Sequence, residues 1–175
     1  MRTVDTLTRL AILVALSAVG ASLKVPALTG TPSLDSAPGY FAALALGAGQ
    51  GAVVAAVGHL LTALTAGFPL TVPIHLMIAA GMGGCAAAVA ACAAGRGLTW
   101  AFVLGLLLNG VVFPALFVPV PGFGPGFFAA MLIPLLAASA LNLGLAVLAY
   151  QGAVRTRLTW VASRLTCRRQ EGAGR

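Results

Sequence analysis

An all-α integral membrane protein with six transmembrane helices and both termini cytoplasmic is the fold this sequence predicts, on three observations. Of its 175 residues, 60% are hydrophobic and only 7% charged, against about 25% charged in a typical soluble domain, so the solvent around most of the chain is lipid. The apolar residues fall into segments near the ~20 residues that cross a hydrocarbon core about 30 Å thick, with Gly, Pro and charge between them. Nine of the ten basic residues fall on one side if the segments alternate across the bilayer.

The first segment covers 7–23, ahead of Lys24 and a Pro- and Gly-containing stretch over 25–36. The second begins near Pro38, which suits the first turn of a helix with Asp35 or Ser36 as its cap, and ends near Gly49. The third runs over 51–66 and stops at Gly67-Phe68-Pro69. The fourth takes 72–94 and is closed by the Gly95-Arg96-Gly97 turn. The fifth covers 98–117, where Pro114 kinks or ends it, and 118–126 reads as a Pro- and Gly-rich loop. The sixth spans 127–154. Segments two and three are short for full spans and extend into their loops, tilt, or are shielded by neighbours. The chain divides into a six-helix transmembrane domain over 1–154 and a basic cytoplasmic tail over 155–175.

Lys and Arg bias in short loops sets orientation. With the amino terminus inside, Arg2, Arg9, Arg96 and the tail residues Arg155, Arg157, Arg164, Arg168, Arg169 and Arg175 are cytoplasmic, and only Lys24 is outside. Trp100, Tyr150 and Trp160 then sit at the cytoplasmic interface. The expected location is the cytoplasmic (inner) membrane, crossed several times. The first segment also has the marks of a cleaved signal peptide, with Arg2 and Arg9 before an apolar run and small residues at Val19-Gly20-Ala21. That alternative leaves five spans and the same tail orientation.

A net charge of +7 points to nucleic acid in a soluble protein, but here the basic residues sit at helix ends, so no nucleic-acid partner is expected. Cys85, Cys92 and Cys167 lack metal-ligand spacing and read as small packing residues. No phosphate-binding loop, zinc-hydrolase helix or nucleophile elbow is present, nor any carboxylate pair within the membrane. Asp35 is the only acid between Asp5 and Glu171. The expectation is therefore no enzymatic activity, no cofactor and no metal.

Polar side chains are costly inside a bilayer, and those retained there mark a site or a helix contact. The candidates are Asp35, His59, Thr62, His75, Asn109 and Asn142. Tyr40, Phe41, Phe68, Phe113, Phe117, Phe123, Phe127 and Phe128 all belong to outer ends or outer loops. Such a set fits an apolar pocket with a few convergent polar groups, as small-molecule sites require. The substrate-binding set read from this pattern is Asp35, Tyr40, His59, Phe68, His75, Asn109, Phe127 and Asn142. The ordinary readings stand beside it: interhelical contact for His59 and the asparagines, helix capping for Asp35, lipid contact for the phenylalanines.

The stretches 24–41 (KVPALTGTPSLDSAPGYF) and 58–75 (GHLLTALTAGFPLTVPIH), with Ala11 and Ala15 at four-residue spacing and Ala18 continuing the small face, resemble the substrate-binding S components of energy-coupling factor (ECF) vitamin transporters. Within that family they look most like the α-ribazole subgroup, which serves cobalamin salvage. The resemblance implies a membrane-embedded subunit of an ECF-type importer. It implies that Ala11, Ala15 and Ala18 pack against the coupling transmembrane subunit, that two cytoplasmic ATPase subunits spend the ATP, and that the loaded protein topples in the membrane to release its ligand inside. Alternatives are an S component for pantothenate or a thiamine-related heterocycle, a small channel or ion carrier, and a scaffold protein without a ligand.

Overall fold

The computed structural model describes residues 3–24 and 32–156. Among them the chain is helical: α1 (Thr3–Gly20), α2 (Ala37–Ala45), α3 (Ala48–Thr65), α4 (Val72–Arg96), α5 (Leu98–Leu116) and α6 (Gly124–Arg155). The only extended pairing described is one antiparallel bridge between Lys24 and Ser33. Four helices, α3 to α6, are long and apolar enough to cross a membrane. Helix α2, at nine residues, rises about 13 Å, well short of a bilayer core. The tail beyond Thr156, with Trp160 and Cys167, lies outside the described residues.

Polarity is distributed inside out. Leu7, Val19, Ile133 and Leu148 are 60% to 70% exposed, while Ser17 and Ser139 are fully buried. Large apolar side chains meet the solvent and small or hydroxylated ones meet each other, as helices in lipid do when close approach replaces the hydrophobic effect as the force between them.

Helix α3 is central, packing on α4, α2 and α1, while α5 packs between α4 and α6. The α2–α3 contact is made by small residues in both directions. A Cβ on Gly51 would collide with the backbone of Ala43, and one on Gly39 with Ala55. Tyr40, Ala43, Ala55, Met82, Cys85 and Val89 continue this contact into the core.

The helix limits differ from the expected ones for local reasons. Helix α1 ends at Gly20, three residues early, because the chain turns to form the Lys24–Ser33 bridge, and Leu34 N–H donates to Leu23 O at 3.0 Å. The break between α2 and α3 falls at Gly47, where φ is 111°, rather than at Gly49. That left-handed geometry is open to glycine. Helix α6 starts at Gly124 with Pro125 in its first turn, so three residues expected in the loop are helical. Gly97, with φ 91°, is a one-residue reversal between α4 and α5.

Within α5, residues Leu108–Val112 form a π-helical turn, with Phe113 N–H donating to Leu108 O. Pro114 explains its place: its ring crowds the carbonyl four residues back and it has no N–H to give. The helix absorbs this by widening one turn instead of ending.

Candidate functional site

Two neighbouring regions carry most of the polar and aromatic residues singled out by the sequence. The first is a chain of side chains from α2 through α3 to α4. Ser36 Oγ donates to Asp35 Oδ1 at 3.1 Å. His59 Nδ1 lies 3.8 Å from Asp35 Oδ2, close enough for attraction and too long for a hydrogen bond. His59 Nε2 is 3.1 Å from His75 Nδ1, and Leu70 N–H donates to His75 Nε2 at 3.4 Å.

These contacts fix a direction. Since His75 Nε2 accepts from Leu70, the neutral ring carries its proton on Nδ1 and donates to His59 Nε2. His59 therefore carries its proton on Nδ1, aimed at Asp35 across the 3.8 Å gap. At 3.8 Å the pair leaves no room for an atom between them, and together they present one donor and one acceptor to their surroundings. Asp35 and His75 are each 6% exposed.

The turn that supplies Leu70 is strained. Phe68 has φ 51° and Thr71 has φ 72°, and Thr71, with ψ 156°, occupies a region otherwise kept by glycine. Phe68 N–H donates to Ala63 O at 2.8 Å and Thr71 N–H to Phe68 O at 2.9 Å. The Phe68 ring stands edge-on to His75, with centroids 5.6 Å apart. Backbone bonds and a ring contact thus hold the turn against its preference.

The second region is a pocket of about 130 Å³ between α4, α5 and α6, with Leu70 at its edge. Helix α4 contributes Met77, Ile78, Gly81 and Met82, and α6 contributes Phe127, Met131 and Leu135. Phe113, Pro114 and Phe117 come from the far end of α5, with Phe123 from the loop that follows. Phe123 joins the aromatic wall, 5.5 Å from Phe117 and 4.8 Å from Phe127 between centroids. Asn109 is the one polar side chain in the lining. It sits in the π-helical turn and donates through Nδ2 to Ser139 Oγ at 2.8 Å. Among the described contacts nothing donates to its Oδ1.

Of the eight residues predicted as a binding set, Asp35, His59, Phe68 and His75 come together in the first region, and Asn109 and Phe127 in the second. Asn142 and Tyr40 are engaged elsewhere. Asn142 Oδ1 accepts from Ser36 N–H at 3.1 Å and Ala37 N–H at 2.7 Å, and its Nδ2 donates to Ser33 O and Ala138 O, both at 2.9 Å. Its hydrogen-bonding capacity is filled, and it caps α2, the role expected of Asp35 or Ser36. The Ser36 side chain makes no cap bond. Tyr40 is 1% exposed, with its hydroxyl 3.4 Å from Cys85 Sγ.

Sequence reasoning missed Leu70, Ser139 and the methionines. Met77, Met82 and Met131 are all the methionines beyond Met1, and all three line the pocket. Their scarcity elsewhere was a signal. Ser139 lies three residues before Asn142, the spacing that puts two side chains on one helix face.

On the outer side of α1, Ala11 and Ala15 are exposed and Ala18 is half-buried. A family model described as "ECF transporter, substrate-specific component" matches residues 5–152. No curated protein and no solved structure matches the chain.

Proposed function

The chain belongs to the family of ECF transporter substrate-specific components, and from that premise we propose that it captures a vitamin or vitamin precursor with a flat aromatic ring, α-ribazole being the best candidate. Membership makes it a multi-pass membrane subunit of a transporter rather than an enzyme, and implies association with ECF transmembrane and ATPase subunits. The finer reading places it in the cytoplasmic membrane with six spans and both ends inside, and assigns the use of ATP to two cytoplasmic partner subunits.

The observation that carries the ligand class is the juxtaposition of two unlike regions. A Met- and Phe-lined pocket accepts a flat ring, since thioethers and ring edges both make favourable contacts with aromatic faces. Beside it, Asp35 and His59, 3.8 Å apart, offer an acceptor and a donor to a hydroxyl that lies against both. α-Ribazole has a benzimidazole for the first and a ribose for the second. In this reading Phe68, His75, Asn109 and Phe127 complete the binding set, while Tyr40 and Asn142 hold the frame.

Ala11 and Ala15, exposed on α1, support the docking role, because small residues let a partner helix approach closely. Docking and toppling of the loaded protein then deliver the ligand inside.

The test is thermal unfolding of the purified protein in detergent against α-ribazole, dimethylbenzimidazole, cobalamin, thiamine, biotin, riboflavin and pantothenate. α-Ribazole is expected to give the largest shift, since a ligand at 100 times its Kd adds about 2.7 kcal/mol. A larger shift with another vitamin replaces the substrate, and no shift with any removes the ligand reading.

A further inference from the structure

The pocket between α4, α5 and α6 has a chemistry narrower than an aromatic vitamin in general. Its volume of about 130 Å³ is close to the ~150 Å³ of an engineered apolar cavity that takes up benzene, which is room for the flat ring part of a ligand. Carbon and sulfur make up the lining apart from Asn109, and no charged side chain is present. An ionised group entering it loses its hydration and gains no partner. Asn109 Nδ2 is used on Ser139 Oγ, which leaves Oδ1, on the one polar side chain of the lining, as the acceptor with capacity to spare.

We infer that this pocket selects one flat, uncharged ring system that brings a single hydrogen-bond donor to Asn109 Oδ1. The inference rests on the ligand-capturing role proposed above and specifies which part of the ligand is read and how. The donor is a ring N–H in a free base. In an N-substituted nucleoside it is a hydroxyl of the attached sugar.

The inference is tested with three probes of similar size: indole, which is neutral with one ring N–H and no acceptor nitrogen; indene, which has the same shape without hydrogen-bonding groups; and benzoate, which is charged. Binding of each to the whole purified chain in detergent is measured by titration. Indole is expected to bind about tenfold more tightly than indene, the worth of one hydrogen bond, and benzoate not at all. In Asn109→Leu that preference is expected to vanish while indene binds as before. Should that variant fail to fold, the comparison of probes on the unaltered chain decides alone.

Equal binding of indene and indole overturns the inference, as does binding of benzoate or no binding of any probe. α-Ribazole titrated alongside separates the two readings. If it binds while the probes show no preference, the capture role stands and the donor rule falls. If the probes obey the rule and α-ribazole does not bind, the pocket chemistry stands and the substrate changes.

Discussion

The Asp35–His59–His75 chain and the Asn109 pocket are neighbours built on opposite plans. In the first, almost every polar atom is engaged with another polar atom of the protein, and the one unclosed contact is the 3.8 Å gap between Asp35 and His59. In the second, nearly everything is apolar and a lone amide keeps an oxygen to spare. The difference teaches that polarity inside a membrane helix does not by itself mark a binding residue. What marks it is hydrogen-bonding capacity left over after folding. Asn142 has none left, and Asn109 has.

Four substitutions break or sharpen this contrast, in order of their effect on binding. The largest effect is expected from Gly81→Leu, which fills the pocket: even a Cβ at Gly81 would lie 3.2 Å from the Phe113 ring. Titration should show loss of both α-ribazole and dimethylbenzimidazole by more than about a hundredfold, with little change in unfolding temperature. Gly84→Leu, at a position with open space, is the control. Retained affinity in Gly81→Leu places the ligand elsewhere.

Asn142→Leu comes next. It strips Ser36 N–H, Ala37 N–H and Ser33 O of their partner, and buried groups left so cost about 1 to 3 kcal/mol each. Unfolding in detergent should drop by about 3 kcal/mol or more, with binding lost in step with folded protein. Binding lost from a protein of unchanged stability would move Asn142 into the ligand site.

His59→Leu divides the two regions most directly. Affinity for α-ribazole should fall about tenfold, while dimethylbenzimidazole, which has no sugar, binds as before. A parallel fall in both would make the chain of histidines a support for the pocket alone. Ala11→Leu lies outside both regions. It should leave binding unchanged and abolish uptake in cells carrying the partner subunits. Unchanged uptake removes α1 from the docking surface.

Much of the helical layout was legible because lipid imposes simple rules: apolar segments, Gly and Pro breaks, and the Gly97 reversal all read directly. The individual members of the polar chain were legible too, since Asp35, His59 and His75 stand out in apolar surroundings. Their connection was not, because it depends on how α2, α3 and α4 meet. The cap of α2 was illegible for the same reason. It comes from Asn142, more than a hundred residues away, whereas sequence signals for capping look only a few residues along. The burial of Tyr40 against Cys85 was illegible because an aromatic near a helix end reads the same whether it faces a cavity or the core. The methionines carry no local signal of their own, and only the pocket brings the three together.

The wide turn at Leu108–Val112 acts as a change of phase in α5. Successive residues of an α-helix are about 100° apart, so one residue inserted without lengthening the helix rotates all that follows relative to all that precedes. Asn109, Phe113 and Phe117 stand at four-residue spacing and line the same pocket. Removing one residue from the turn would leave the amide three and seven residues from the two rings, a spacing that still keeps one helix face. The widened turn is therefore slack in the helix rather than the hinge on which its aromatic wall hangs.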